Sequence, residues 1–126
     1  MEVNGFYKCE FCGNIVQLVN DGGGDLYCCG EIMFLIQTKL TDEGNEKHVP
    51  FVITQDNKLT VKIGEVEHPM LPAHYIQWIE LRQGDTIQRK YFNHDDKPQA
   101  DFEYFGGDYS VYSMCNIHGL WKLESK

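Results

Sequence analysis

No apolar run in this 126-residue chain approaches the roughly 18 residues needed for a membrane-crossing helix. The opening stretch MEVNGFYKCEFCGN also lacks the basic-then-apolar order of an export signal. The expectation is a cytoplasmic protein with no membrane partner. Basic residues are scarce: 11 Lys and Arg stand against 19 Asp and Glu, a formal net charge of −8. Nucleic acid is held by a basic face, so this balance argues against such a partner. Also missing are a sustained 3.6-residue apolar periodicity, an internal repeat and a low-complexity tract.

What is present is enough apolar material for a core, 42% of residues, arranged in short segments between turns. From residue 37 onward, strands are predicted over 51–54, 59–63, 75–83, 86–92, 100–105, 109–114 and 120–123. Turn clusters such as Gln83-Gly84-Asp85 and Gly106-Gly107-Asp108 separate them. Leu59-Thr60-Val61-Lys62-Ile63 alternates apolar and polar side chains, as a strand with one buried face does. Closely recurring strands and turns predict an all-β sandwich or barrel for residues 37–126.

Residues 1–36 are different. They contain four of the five cysteines and the flexible turn Asn20-Asp21-Gly22-Gly23-Gly24-Asp25. A unit this short buries too little surface to fold unaided and needs a metal or disulfide staple. With no export signal, closely spaced cysteines read as metal ligands first. Cys9-x-x-Cys12 followed by Cys28-Cys29 supplies four thiolates, a set that suits iron or zinc. The adjacent second pair has less slack than a second C-x-x-C, which predicts a distorted tetrahedron. The C-x-x-C…C-C pattern resembles desulforedoxin, a small iron protein, and that resemblance favours iron.

A second constellation lies beyond residue 37. Cys115-Asn116-Ile117-His118-Gly119 puts a thiolate and an imidazole three residues apart in a short loop closed by glycine. His68-Pro69-Met70-Leu71-Pro72-Ala73-His74 places two imidazoles on a segment stiffened by two prolines. Glu46-Lys47-His48 adds another; His94 reads as an ordinary surface histidine. Taken alone, each piece fits several metal sites, structural zinc and copper included. A structural two-zinc protein and an iron electron carrier both remain open on these residues.

As a set they are more specific. H-x-M-x-x-x-H followed by C-N-x-H-G, with E-K-H upstream, resembles the catalytic domain of superoxide reductases. With the cysteine unit included, essentially the whole chain is similar to the desulfoferrodoxin family, the two-centre form. The resemblance implies an immunoglobulin-like β-sandwich after a desulforedoxin-like, rubredoxin-like unit, a homodimer, and two iron ions per chain. It assigns Cys9, Cys12, Cys28 and Cys29 to the first iron, and His48, His68, His74, His118 and the axial thiolate Cys115 to the second. Glu46 and Lys47 match the family's charged active-site residues. It further implies one-electron reduction of superoxide to hydrogen peroxide, with a small redox protein such as rubredoxin as donor. Dismutation at the same iron is disfavoured, because an electron-donating thiolate opposes oxidation of superoxide. Replacing Lys47 with Ile is expected to slow the encounter with superoxide and flatten its salt dependence; stopped-flow or pulse-radiolysis rates against ionic strength check this.

Overall fold

The computed structural model describes residues 1–40, 49–64 and 69–125. The chain forms two compact units, Met1–Gln37 and Thr38–Lys126. The described residues form strands and turns without a helix, so no helix among them is long and apolar enough to cross a membrane.

The first unit has strands β1 (Phe6–Lys8), β2 (Ile15–Gln17), β3 (Tyr27–Cys28), β4 (Glu31–Ile32) and β5 (Phe34–Leu35). They form an antiparallel sheet in the order β2-β1-β5 and a separate β3–β4 hairpin. Its core is tiny: Tyr7, Cys9 and Met33 are buried, with Leu18, Leu26, Cys28 and Leu35 packed against them. Phe11, Val19, Tyr27 and Phe34 remain largely exposed. Two of the core contacts are therefore cysteines, and apolar burial alone gives this unit little stability.

The second unit begins with β6 (Thr38–Lys39), followed by β7 (Pro50–Gln55), β8 (Lys58–Ile63), β9 (Ile76–Gln83), β10 (Thr86–Tyr91), β11 (Gln99–Glu103), β12 (Ser110–Cys115) and β13 (Gly119–Glu124). A five-stranded sheet runs β10-β9-β12-β13-β6, with β6 parallel to β13 and the other pairs antiparallel. A three-stranded sheet runs β11-β8-β7. Leu59, Val61, Ile63, Ala100 and Phe102 of the smaller sheet share one core with Ile79, Leu81, Val111 and Trp121 of the larger. The unit is the expected β-sandwich. Each predicted strand is present, with ends shifted by a residue or two. The strand predicted to run to residue 105 stops at Glu103, because the Tyr104 amide donates to the Asn57 carbonyl at the neighbouring turn instead.

Central strand β9 is buried on both faces, so its polar positions need partners. Glu80 is wholly buried. Its carboxylate accepts from Arg82 Nε at 2.6 Å and from Arg89 Nε at 2.7 Å, with a further Arg89 Nη2 contact. Arg82 and Arg89 cover the outer face of the sheet, stacked over Tyr112 and Trp78. Glu80→Ala is expected to cost about 3 kcal/mol in urea unfolding, near the low end for a broken buried ion pair because both guanidinium groups keep some access to water.

Candidate metal centres

In the first unit one ligand atom from each of Cys9, Cys12, Cys28 and Cys29 lies within 4.8 Å of all the others. All four are free thiols. Cys9 and Cys12 flank a tight turn whose amides point at sulfur: Phe11 and Cys12 donate to Cys9 Sγ at 3.4 and 3.5 Å, and Asn14 donates to Cys12 Sγ at 3.4 Å. The adjacent pair is presented by the two-residue turn between β3 and β4. Cys29 and Gly30 both have positive φ, 55° and 78°, as a type I′ hairpin requires. A left-handed backbone is unfavourable for a non-glycine residue, but here it swings the second sulfur round to the side of the first.

Four sulfurs each about 2.3 Å from one ion stand about 3.8 Å apart. Cys12–Cys28 at 3.5 Å and Cys28–Cys29 at 4.0 Å bracket that edge, one compressed and one stretched. A tetrahedral thiophilic cation fits the cradle. Proton affinities follow from the crowding. The Cys9 thiol is lowered to about 7, first by the Cys12 amide and then by that of Phe11. Cys28 is raised by Cys12 and Cys9, and Cys29 is pushed up to about 12 by Cys12, Cys9 and Cys28. The amides favour a thiolate at Cys9 while the neighbouring sulfurs oppose one at Cys28 and Cys29, and a cation between them offsets that opposition.

In the second unit His74, Cys115 and His118 each bring a ligand atom within the same 4.8 Å limit. Cys115 ends β12 and pairs with Gly119 at the start of β13, leaving Asn116–His118 as a three-residue hairpin loop. Gly119 has φ 91°, the left-handed residue that closes such loops. The register between β12 and β9 shifts at Met114/Cys115, so that Cys115 pairs with Ile76 and Gln77 is passed over. A bulge of this kind re-aims a side chain. The Cys115 sulfur enters the apolar core, where the residue is only 1% exposed. His118 Nδ1 lies 3.7 Å from that sulfur, and His118 itself is exposed.

His74 reaches the same point from a separate turn. Leu71 and His74 exchange both backbone hydrogen bonds, at 2.9 and 3.0 Å, across Pro72-Ala73. Pro72 supplies the fixed φ that the first corner of a tight turn favours. The His74 and His118 rings meet edge to face with centroids 4.9 Å apart. Nitrogen and sulfur bound to one cation at about 2.1 and 2.3 Å are about 3.1–3.6 Å apart, so the 3.7 Å pair fits a shared ion with little adjustment. His48, His68, Glu46 and Lys47 lie outside the described residues. His94 sits beside Asp95 at 3.1 Å and edge-on to Tyr75.

Two residues near this centre have no role assigned from the sequence, although Asn116 is the asparagine of C-N-x-H-G. Lys39 Nζ donates to the His118 carbonyl at 2.7 Å and lies 4.6 Å from the Trp121 ring centre. Asn116 bonds to the backbone on both sides of His74. Their partners are 79 and 41–43 residues away, and no local pattern announces them.

A β-sandwich with a buried thiol and exposed imidazole at one hairpin, following a four-thiol unit, defines a two-centre metalloprotein. The Desulfoferrodoxin N-terminal domain pattern matches residues 1–36, and the Desulfoferrodoxin pattern matches residues 40–124. The chain belongs to the desulfoferrodoxin family. A desulfoferrodoxin homolog from Archaeoglobus fulgidus is 48% identical over 121 residues, covering 96% of this chain and 97% of the relative. A superoxide reductase from Pyrococcus abyssi is 37% identical over 68% of this chain and 91% of its own. The crystal structure of the superoxide reductase from Treponema pallidum superposes with a TM-score of 0.76 at 28% identity, covering 94% of this chain and 96% of that one. Stripping metal from the four-sulfur centre is expected to abolish amide protection across residues 1–37 while the β9–β12 ladder stays protected; hydrogen exchange with and without chelator reads both units at once.

Proposed function

We propose that the protein is a superoxide reductase whose reaction takes place at the histidine–cysteine centre of the second unit. The observation that carries this reading is the contrast in exposure within that centre: the sulfur is buried and the His118 imidazole faces solvent. The electron-rich ligand thus comes from the protein side, and a small anion has access from the other. The sequence match over nearly the full chain and the Treponema pallidum likeness support it.

His48, His68, His74, His118 and Cys115 form the proposed ligand set, and Cys9, Cys12, Cys28 and Cys29 form that of the first iron. When bound, iron supplies the electron: superoxide gains one electron and two protons, leaves as hydrogen peroxide, and an external donor returns the electron. Cys115 contributes electron density from the core side, as thiolate ligands do in some haem enzymes. Four neutral imidazoles and one thiolate leave a ferrous centre with about one net positive charge, which attracts superoxide at short range despite the chain's net −8. Lys47 would add a second positive charge and a proton-donating group for the developing peroxide. Glu46 would serve as a carboxylate able to bind the ferric centre and leave on reduction.

Residues 1–36 and 37–126 are the proposed working divisions. The first centre staples its unit, which has too small an apolar core to fold without it. We further assign a rubredoxin-type donor, a homodimeric state and a cytoplasmic location. Cys115→Ser is expected to slow superoxide consumption at least about 100-fold while the four-sulfur absorption persists, whereas Cys29→Ser keeps superoxide consumption in the folded protein. Pulse radiolysis of the reduced variants decides. A Cys115→Ser protein as fast as the parent contradicts the assignment of the site.

A further inference from the structure

The two segments that meet at the histidine–cysteine centre are remote in sequence. The three-residue loop carries Cys115 and His118, and a separate four-residue turn carries His74. Cys115 and His118 are held in mutual register by the hairpin. The placing of His74 against them is a different problem, because its turn is closed by bonds to itself. Leu71 pairs with His74, and the Ile76 amide donates to Met70 Sδ at 3.3 Å. Both interactions shape the segment locally, and the strand ladder ties it to the loop as far as Ile76, which pairs with Cys115.

Asn116 carries the connection past Ile76 to both sides of His74. Its side-chain Oδ1 accepts from the Tyr75 amide at 2.9 Å, and its Nδ2 donates to the Ala73 carbonyl at 3.1 Å. Its own backbone amide donates to the Tyr75 carbonyl at 3.2 Å. One carboxamide therefore grips the peptide groups immediately before and after His74. Asn116 is also the residue directly after Cys115 and two before His118, so it belongs to the rigid loop that presents them. The grip requires an acceptor and a donor about two atoms from the backbone, which asparagine provides. Serine has too short a reach, and aspartate has no donor for the Ala73 carbonyl.

We propose that Asn116 is a positioning residue that sets the distance and angle of the His74 imidazole relative to Cys115 and His118. The proposal rests on the reading of these three residues as ligands of one metal ion. Groups that orient ligands from outside the coordination sphere change metal affinity by about 10–100-fold when removed. Asn116 is itself exposed, so its bonds compete with water and the lower end of that range applies.

The test uses the full-length iron-loaded protein with Asn116→Ala. Expected are a shifted thiolate-to-metal absorption band and about tenfold lower retention of the second metal against a chelator. The four-sulfur centre, in the same molecule, keeps the parent's spectrum and retention. Should Asn116→Ala fail to fold, Asn116→Asp carries the test: it matches the side chain in size, keeps the Tyr75 acceptor and loses the Ala73 donor, and the band is again expected to move. A variant that is folded and loaded with the parent's band and retention overturns the proposal. These readouts involve no superoxide, so their failure is separate from a failure of the reductase reading, which the peroxide yield judges.

Discussion

A charged sulfur is costly in an apolar core unless a cation stands beside it. That constraint organises the larger unit. Cys115 is 1% exposed and packs in the same cluster as Ile63, Ile76 and Trp121. Its sulfur lies where the His74 turn meets the Cys115–His118 loop, within reach of one cation shared with both imidazoles. The register shift opposite Ile76, the glycine that closes the hairpin and the proline at the corner of the His74 turn bring the donor atoms to that point. In the first unit Cys9 belongs both to the buried core and to the four-sulfur group that could hold a metal ion. The first unit has only a three-residue buried cluster, so there folding and metal loading are expected to be linked, whereas the sandwich has a full core of its own.

The sandwich around the second centre serves as a rigid mount. Strands β9 and β12 form its middle, buried on both faces; β9 starts directly after the His74 turn and β12 ends at Cys115, where the loop begins. The Glu80 carboxylate, clamped by two arginines, settles the one buried charge on β9 by pairing it on the outer face. The two short connections that carry the donor atoms are joined by the Cys115–Ile76 pairing, by the Asn116 backbone amide and by its carboxamide.

Much of this is legible in the residues. Leu59–Ile63 reads as a strand because its alternation matches a pleated surface with one dry face, and Cys115-x-x-His118-Gly119 reads as a loop because glycine marks its end. The spacing of the C-x-x-C and C-C pairs marks the cysteine cluster that the structure brings together, while the choice of iron comes from the family resemblance. Other features leave no local trace. The strands of the first unit are two or three residues long, too short to show a period. The left-handed Cys29 that resolves the crowding of the adjacent cysteines depends on a turn made with Gly30. Asn116 and Lys39 act on backbone atoms far along the chain, where identity of the partner side chain is irrelevant and the sequence carries no pairing signal.

The central claim is that superoxide is reduced and not dismutated at the centre containing Cys115. The most direct measurement is the hydrogen peroxide formed per superoxide consumed, with anaerobically reduced iron-loaded protein in excess over a superoxide pulse and oxygen followed in parallel. The account predicts one peroxide per superoxide and no oxygen. Half a peroxide per superoxide with oxygen released, or no acceleration over buffer, contradicts it.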